Sequence, residues 1–497
     1  MANKVIVMST TNYLRTKLKN FLNLFISYDK VDNSANILIF GNSLGLIFSL
    51  LTVFLILNNL DVRDYELFVL SLAFTYTISM PSNWGMPIVV MREVAKSPQL
   101  AREWWISAIK LHLILWLLCF SFSIFIITYY NWYGIDLHSC IILMVMWISD
   151  FIGSSTSSTL RSLDKPELES LLTTLKRILQ FSCILICINL FPVNILTISI
   201  SFALGPIISL ICGIVLLLRI SDQPNEKISL KTPFRLGMPF APIIFLIPLV
   251  PNLDRFILGS FGILGALTMY DLSQRLSTAG SAFNSALQSS LMPSMSILKK
   301  NTNDLFTLIN NRNGFILKWS SLGLLLAPLT APKIIDYILN GDFPATISIF
   351  NMLLLAWCLS FLAIPYITSI ESLTTGKSLK WIFIISIFMD GLITFFTVDY
   401  LGAFAAGIGT VAMQMTFIVM AAAFCIYEDL ISRIPKMHIL LFLLYSLISL
   451  IVMLEFIFLD TSYSTFLISV VGLILLIFWS KNYGLQINDI PNHFEVI

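Results

Sequence analysis

The chain has 497 residues, of which 57% are hydrophobic and 12% charged, with a net charge of +2. A soluble domain needs more charge than this to cover its surface, so lipid must be the solvent for much of the chain. Near-neutrality suggests no nucleic-acid partner, the 7 cysteines form no CxxC, and the 4 histidines are scattered, so no metal or redox site is expected.

In chain order, residues 1–35 are polar and basic, with no signal-peptide pattern. Leu14, Leu18, Phe21, Leu22 and Phe25 recur there at helical spacing. The segment reads as a cytoplasmic amphipathic helix at the interface or as a solvated extension. A crossing needs about 20 apolar residues. Spans are expected at 36–59, 66–91, 106–129, 139–160, 178–192, 195–218, 236–258, 268–296, 313–332, 345–371, 380–397, 402–426, 438–459 and 464–480. The expected fold is therefore all-α and polytopic, with about 14 transmembrane helices; a twelve-span reading drops the last two. The short span ending at Pro192 is the weakest.

Alternate loops differ in charge. One set is basic: Arg92 and Lys96, "RSLDKPELESLLTTLKR", "RISDQPNEKISLKTPFR", Lys299 and Lys300, Lys377 and Lys380, Arg433 and Lys436, Lys481. The other set, "YYNWYGIDLHS", "PVN" and "VDYLG" among them, is nearly bare. Basic loops stay cytoplasmic, which places both termini and the loop 219–235 inside. All loops are short, which leaves no room for a soluble catalytic domain. "ESLTTGKS" at 371–378 has Glu371 where a nucleotide-binding loop needs glycine, so ATP is not expected.

A helix rises about 1.5 Å per residue, so each charge can be placed from its cytoplasmic anchor. Counted from Arg235, Arg255 reaches the outer interface, and Asp254 with it. Arg275 also falls near the outer side, and Asp271 and Arg275 share a helix face. Arg255 there is either a snorkelling anchor or an outer gate. Asp254 is expected to hold one of the arginines in place. Asp150 and Asp390 fall near mid-membrane, where a carboxylate needs a partner, a cavity or a proton; both are ion-coupling candidates. Lys110 and Lys318 lie one to two turns inside the inner interface, where they snorkel or line a vestibule. Counting leaves no lysine or arginine at mid-membrane. The head group of an anionic substrate is then expected to be carried by conformational exchange without a fixed deep site.

Two segments echo each other: "LILNNLDVRDYELFVLSLAF" near the start and "LVPNLDRFILGSFGILGALTMYDLSQR" in the middle. Asp61 and Asp254 correspond, each at the outer end of the span opening its half, so the repeat is parallel and of about six spans, a transporter plan.

At "YELFVLSLAFTYTISMPSNWGMPIVVMREVAK" (65–96), "STLRSLDKPELESLLTTLKRI" (158–178), "RLGMPFAPIIFLIPLVPNLDRFILGSFGILGALTMYDLSQRLS" (235–277) and "LMPSMS" (291–296), the chain resembles polysaccharide transporters of the multidrug/oligosaccharidyl-lipid/polysaccharide superfamily, especially O-antigen (Wzx-type) flippases. Gly85, Arg92, Glu93 and Lys96 match one family motif, and Asp254 and Arg255 another. The resemblance implies two six-helix lobes, 36–235 and 236–427, around a central cavity. Two extra helices follow at 428–480, then a cytoplasmic tail at 481–497. It implies a bacterial inner-membrane flippase for an undecaprenyl-pyrophosphate-linked oligosaccharide, without cofactor, alongside polymerase or chain-length partners in the membrane. Candidate pyrophosphate contacts are Arg255, Arg275, Asp254, Lys110, Lys318 and Arg92. The first span lacks the basic residues of the lipid II branch. An ion-coupled drug or small-solute antiporter stays open, as does a membrane glycosyltransferase or polymerase.

Overall fold

The computed structural model describes residues 30–130, 134–221, 228–263, 265–278, 302–339, 345–374, 378–458 and 462–483, with 280, 281, 283, 284, 287, 288, 291 and 295. The expected amphipathic segment before residue 30 lies outside the described residues, as does nearly all of the 481–497 tail. The described residues form helices and no strand.

Among the described residues, eleven helices are long and apolar enough to cross a membrane. The chain is a multi-pass membrane protein. The other three expected spans are 36–59, 66–91 and 268–296. Helix α1 (Lys30–Asn59) runs without a break through the first of them. The expected span at 66–91 is not one helix: α2 (Val62–Ser79) ends in a 3-10 turn, Met80–Ser82, and α3 (Met86–Lys96) starts afresh. Of the expected span 268–296, α11 (Ala266–Thr278) is described as continuous helix.

The break between α2 and α3 is dictated by "MPSNWG". Pro81 starts the 3-10 turn, and Trp84 and Gly85 both take positive φ, 47° and 76°. Trp84 is held there by stacking on Phe234 at 4.7 Å and by donating Nε1–H to the Phe234 carbonyl at 2.9 Å. Gly85 has no room for a side chain, since a Cβ would lie 2.9 Å from Phe240 Cβ.

Next come α4 (Ala101–Tyr130), α5 (Leu137–Ser162), α6 (Pro166–Leu190) and α7 (Ile195–Ile220). Asp136 caps α5 by accepting from Ser139 N–H at 2.8 Å, and Asn194 and Thr197 form a capping box on α7. Helix α6 starts twelve residues before the expected 178. Pro166 opens it, where a missing N–H costs nothing, and Glu167 and Glu169 fill its first turn. The basic stretch taken for a loop is therefore the first half of a helix.

The seventh span breaks into α8 (Lys231–Gly237), α9 (Ala241–Leu246) and α10 (Leu249–Phe261). Its prolines mark the joints. Pro239 lies between α8 and α9, Pro242 in the first turn of α9, and Pro248 at the N-cap of α10. Gly262, at φ 62°, ends α10 in the left-handed conformation. After α11 follow α12 (Thr302–Asn311), α13 (Asn313–Leu339), α14 (Ala345–Leu373), α15 (Leu379–Leu401), α16 (Phe404–Tyr427), α17 (Lys436–Phe458) and α18 (Ser462–Asn482).

Packing falls into two groups. In the first half, α5 touches α2, α3, α4 and α7, and α6 packs on α1 and α7. In the second, α14 is the hub: 89% of its apolar window is buried, against α11, α13, α16 and α17. The halves meet where α2 lies against α10 and α11.

Candidate functional site

The helix breaks decide where the charges sit. Arg255 is not at the end of its span. Six more residues of α10 follow it, about 9 Å of helix. The count from Arg235 overshoots because α8, α9 and α10 do not run as one rod. Asp61 does stand at a helix end, exposed before α2, whereas Asp254 is fully buried, so the two are not equivalent points.

Arg255 and Arg275 line a cavity of about 240 Å³ together with Lys176 and Arg177 of α6. Asp150, Gln180 and Asn252 share the wall. Lys176 lies ten residues after Pro166, about 15 Å along α6. The expectation of no cation deep in the chain is thus overturned, because α6 begins earlier than its hydropathy shows. Four cations face one partly open space between the helices, where partial shielding from water strengthens their charge interactions.

The four cations have two carboxylate partners among the described residues, Asp150 and Asp271. Lys176 pairs with Asp150 at 2.6 Å. Arg177 donates to Gln180 Oε1 at 3.0 Å and forms no ion pair among the described residues. Arg255 and Arg275 share one carboxylate, Asp271, each at 2.6 Å. Arg255 also donates to Asn252 Oδ1 at 2.6 Å, yet its Nε is buried without a partner. A guanidinium with an unsatisfied buried N–H and two arginines on one carboxylate leave capacity for an incoming anion.

Asp254 does not hold these arginines. It points the other way, about 100° around α10. There it accepts from Tyr270 Oη–H at 2.7 Å, Thr394 Oγ1–H at 2.8 Å and Thr410 Oγ1–H at 3.1 Å. Asp390 of α15 feels its charge, and both Asp390 oxygens are buried with no hydrogen-bond partner. Gly409 makes the space. A Cβ there would lie 2.1 Å from Thr394 Oγ1 and 2.6 Å from Asp390 Oδ1. Two buried carboxylates side by side repel, and either a small cation or a proton relieves them.

A third group joins the halves. Tyr65 of α2 donates to Asp271 Oδ2 at 2.6 Å, and Glu66 accepts from Leu267 N–H at 3.1 Å and Thr268 N–H at 3.4 Å at the start of α11.

Three expected contacts lie elsewhere. Arg92 is half-exposed on α3 and pairs with its neighbour Glu93, whose carboxyl Lys96 also contacts at 2.9 Å. Lys110 is exposed on α4. Lys318 sits over the rings of Trp319 and Trp479, at 5.3 and 5.4 Å. None of the three lines the cavity, because at their positions a long side chain reaches the surface more cheaply than the interior.

The fold has known counterparts. A family model described as polysaccharide biosynthesis protein matches residues 33–299, more than half the chain. The chain belongs to the polysaccharide biosynthesis protein family. Its fold is shared with three solved structures. Lipid II flippase MurJ in an inward closed conformation has a TM-score of 0.66 at 14% identity, covering 92% of this chain and 99% of that one. An outward-facing multidrug resistance MATE family transporter of the MOP superfamily scores 0.59 at 14%, covering 80% and 95%. The bent form of the Vibrio cholerae MATE transporter VcmN scores 0.57 at 13%, covering 81% and 96%. No curated protein matches by sequence.

In this family member, Lys176, Arg177, Tyr270, Thr394 and Thr410 are the site residues that sequence reasoning missed. A signal for the first two was present: Pro166 and its following glutamates announce a helix start, which puts Lys176 three turns inside. Tyr270 and the threonines carry no such mark, since tyrosine and threonine are ordinary in membrane helices.

Proposed function

We propose that the chain is a flippase. It carries an undecaprenyl-pyrophosphate-linked oligosaccharide across the bacterial inner membrane by alternating access, for O-antigen or another surface polysaccharide. The observation that carries this reading is the cavity with Lys176, Arg177, Arg255 and Arg275 on its walls. A pyrophosphate needs several cations with planar donors at close quarters, and arginine supplies them. The lobes are taken as 36–235 and 236–427, rocking about the cavity. The basic-loop alternation puts both termini in the cytoplasm, and hence the Tyr65–Asp271 contact toward the periplasm. Asp254 and Asp390 then form the site of a small coupling cation in the second lobe. A cation-exporting antiporter fits less well, because this cavity would repel an organic cation.

The test is which intermediate accumulates when the chain is depleted. The expected result is the complete lipid-linked oligosaccharide, trapped on the cytoplasmic leaflet. It should clear on expression of wild type, but not of Arg177→Ala with Arg255→Ala made at normal levels. Normal surface polysaccharide in depleted cells, with no trapped lipid, would overturn the reading.

A further inference from the structure

Beside the cationic cavity lies a second one of about 250 Å³, enclosed by α5, α6 and α7. The two share Asp150, Lys176 and Pro206 on their walls, so they adjoin. The chemistry changes between them. In the second chamber both cations are matched by a carboxylate, Lys176 by Asp150 and Arg161 by Glu169. No surplus positive charge is left for an anion there.

Most of the remaining lining is serine and threonine, with Leu172, Pro206 and Leu210 as its apolar part. In a membrane helix a serine or threonine ordinarily turns its hydroxyl back to a carbonyl three or four residues earlier. Ser149, Thr156 and Thr173 do so, at 2.8, 2.8 and 3.0 Å from Val145, Ile152 and Glu169 carbonyls. Ser154, Ser157 and Ser158 make no such bond among the described residues. They stand at i, i+3 and i+4 on α5, hence on one face, and line the chamber. Gly153 adds room beside them, since a Cβ there would meet nothing within 4 Å. A lipid tail would strip water from these hydroxyls and return nothing. A neutral polyhydroxyl ring would exchange donor for donor and acceptor for acceptor, with both ion pairs at hand as further partners. The volume falls just below the range of small-molecule pockets, about 300–1,000 Å³. It suits one ring and not a chain.

We propose that this chamber is a subsite for the sugar nearest the pyrophosphate, held beside Lys176 while the anion occupies the cationic cavity. The proposal rests on the flippase reading above and extends it. The experiment measures binding of two lipids to purified full-length protein. One is bare undecaprenyl pyrophosphate, and the other is the glycosylated lipid extracted from depleted cells. Gly153→Leu fills the chamber, and Ser154→Ala with Ser157→Ala removes two hydroxyls without adding bulk. Both variants should bind bare lipid like wild type. Their preference for the glycosylated lipid should fall about tenfold, the loss expected for two hydrogen bonds. Unchanged preference in both would reduce the chamber to a wet vestibule. Loss of both lipids by the double alanine variant would make it part of the anion site and sink the sugar assignment. If wild type binds neither lipid, the flippase reading itself fails, whatever the variants do.

Discussion

Tyr270 donates its hydroxyl to Asp254 at 2.7 Å, and the next residue on each helix repeats the contact, Arg255 to Asp271 at 2.6 Å. Two adjacent positions on α10 are thus joined to two adjacent positions on α11. One pair faces the carboxylate pocket of the second half, the other the cationic cavity between the halves. A turn holds about 3.6 residues, so rotation of α10 that satisfies one pair moves the other. The two sites are linked by neighbouring side chains, without a long pathway between them.

Tyr270→Phe tests this link. It removes the shorter of the two hydrogen bonds to Asp254 Oδ2, leaves the one from Thr410, and does not touch Arg255 or Asp271. Pyrophosphate-lipid binding should be retained, and its dependence on the coupling cation should weaken by about tenfold, the order expected for one buried hydrogen bond to a carboxylate. Titrating the lipid at several sodium concentrations and pH values reads the coupling directly. An unchanged cation dependence would leave Tyr270 as packing.

Gly409→Ala tests the carboxylate pocket from the other side. The added methyl would lie 2.1 Å from Thr394 Oγ1 and 2.6 Å from Asp390 Oδ1, so both must move. Asp390 can swing its carboxylate, but Thr394 is stiff at χ1, so the variant should fold with lowered stability. Cation-driven transport should fall by at least the factor seen for Asp390→Asn, while binding of the lipid by unenergised protein stays near wild type. Equal transport by both variants and wild type would remove the coupling role from this pocket.

How much of this was legible in the sequence depends on whether helices run straight. Apolar runs marked nearly every crossing, and α14 and α16 fall within two residues of expectation at most ends. Asp390, expected near mid-membrane, is fully buried in the structure, eleven residues into a continuous α15. The count of helical rise failed for Arg255, since three prolines divide the span before it. It failed for Lys176 and Arg177 because hydropathy alone set the start of α6. A basic residue in a helix lowers local hydropathy whether it faces water or a cavity. Asp271 was placed on the right face with Arg275, but its second arginine and Tyr65 are tertiary partners that no spacing could disclose.

Asp271→Asn should separate the two arginines from their shared anion. Asp271 is fully buried and holds Arg255, Arg275 and Tyr65 at once. Removing one member of such a network leaves buried charge unmatched and costs about 3–5 kcal/mol, so thermal unfolding in detergent should occur at markedly lower temperature. Added pyrophosphate should restore more stability to this variant than to wild type, because the anion replaces the lost carboxylate. Arg255→Lys should bind the lipid only partly, as an ammonium lacks the planar fork. Full binding by Arg255→Gln would return Arg255 to a purely structural place.

Asp136, outside the membrane-spanning helices, gives a pH-dependent test of stability. Its burial raises the carboxyl pKa, but bonds from Ser139 and His138 outweigh this and lower it from the ordinary value of 3.8. A lowered folded pKa means that the cap stabilises fully above the unfolded value and is lost as pH falls through the folded one. Asp136→Ala should therefore destabilise by about 1 kcal/mol at neutral pH. The difference from wild type should shrink as pH drops below 3.8, the ordinary value. A difference constant down to the lowest pH at which the protein stays soluble would show that the carboxylate is not the capping species.

The contact between the halves yields the last prediction. Tyr65 holds Asp271 in the same carboxylate that Arg255 and Arg275 use, and Glu66 caps the first N–H groups of α11. An anion drawing the two arginines into the cavity would leave Asp271 less tightly fixed and so weaken its hold on Tyr65. Glu66 would then be the remaining tie. Tyr65→Phe should loosen the contact before substrate arrives, and Tyr65→Phe with Glu66→Gln should loosen it further. Each bond is worth about 1–3 kcal/mol where a carboxylate is the acceptor, enough to shift a balanced two-state equilibrium by tenfold or more. A cysteine placed at Leu70, which is buried against Gly259 between the halves, reports the opening through its labelling rate. Labelling should be slow in the otherwise native protein, faster when pyrophosphate-lipid is added, and fast without it in the double variant. Slow labelling in the double variant would mean that other contacts keep the halves together and that Tyr65 and Glu66 are not the latch.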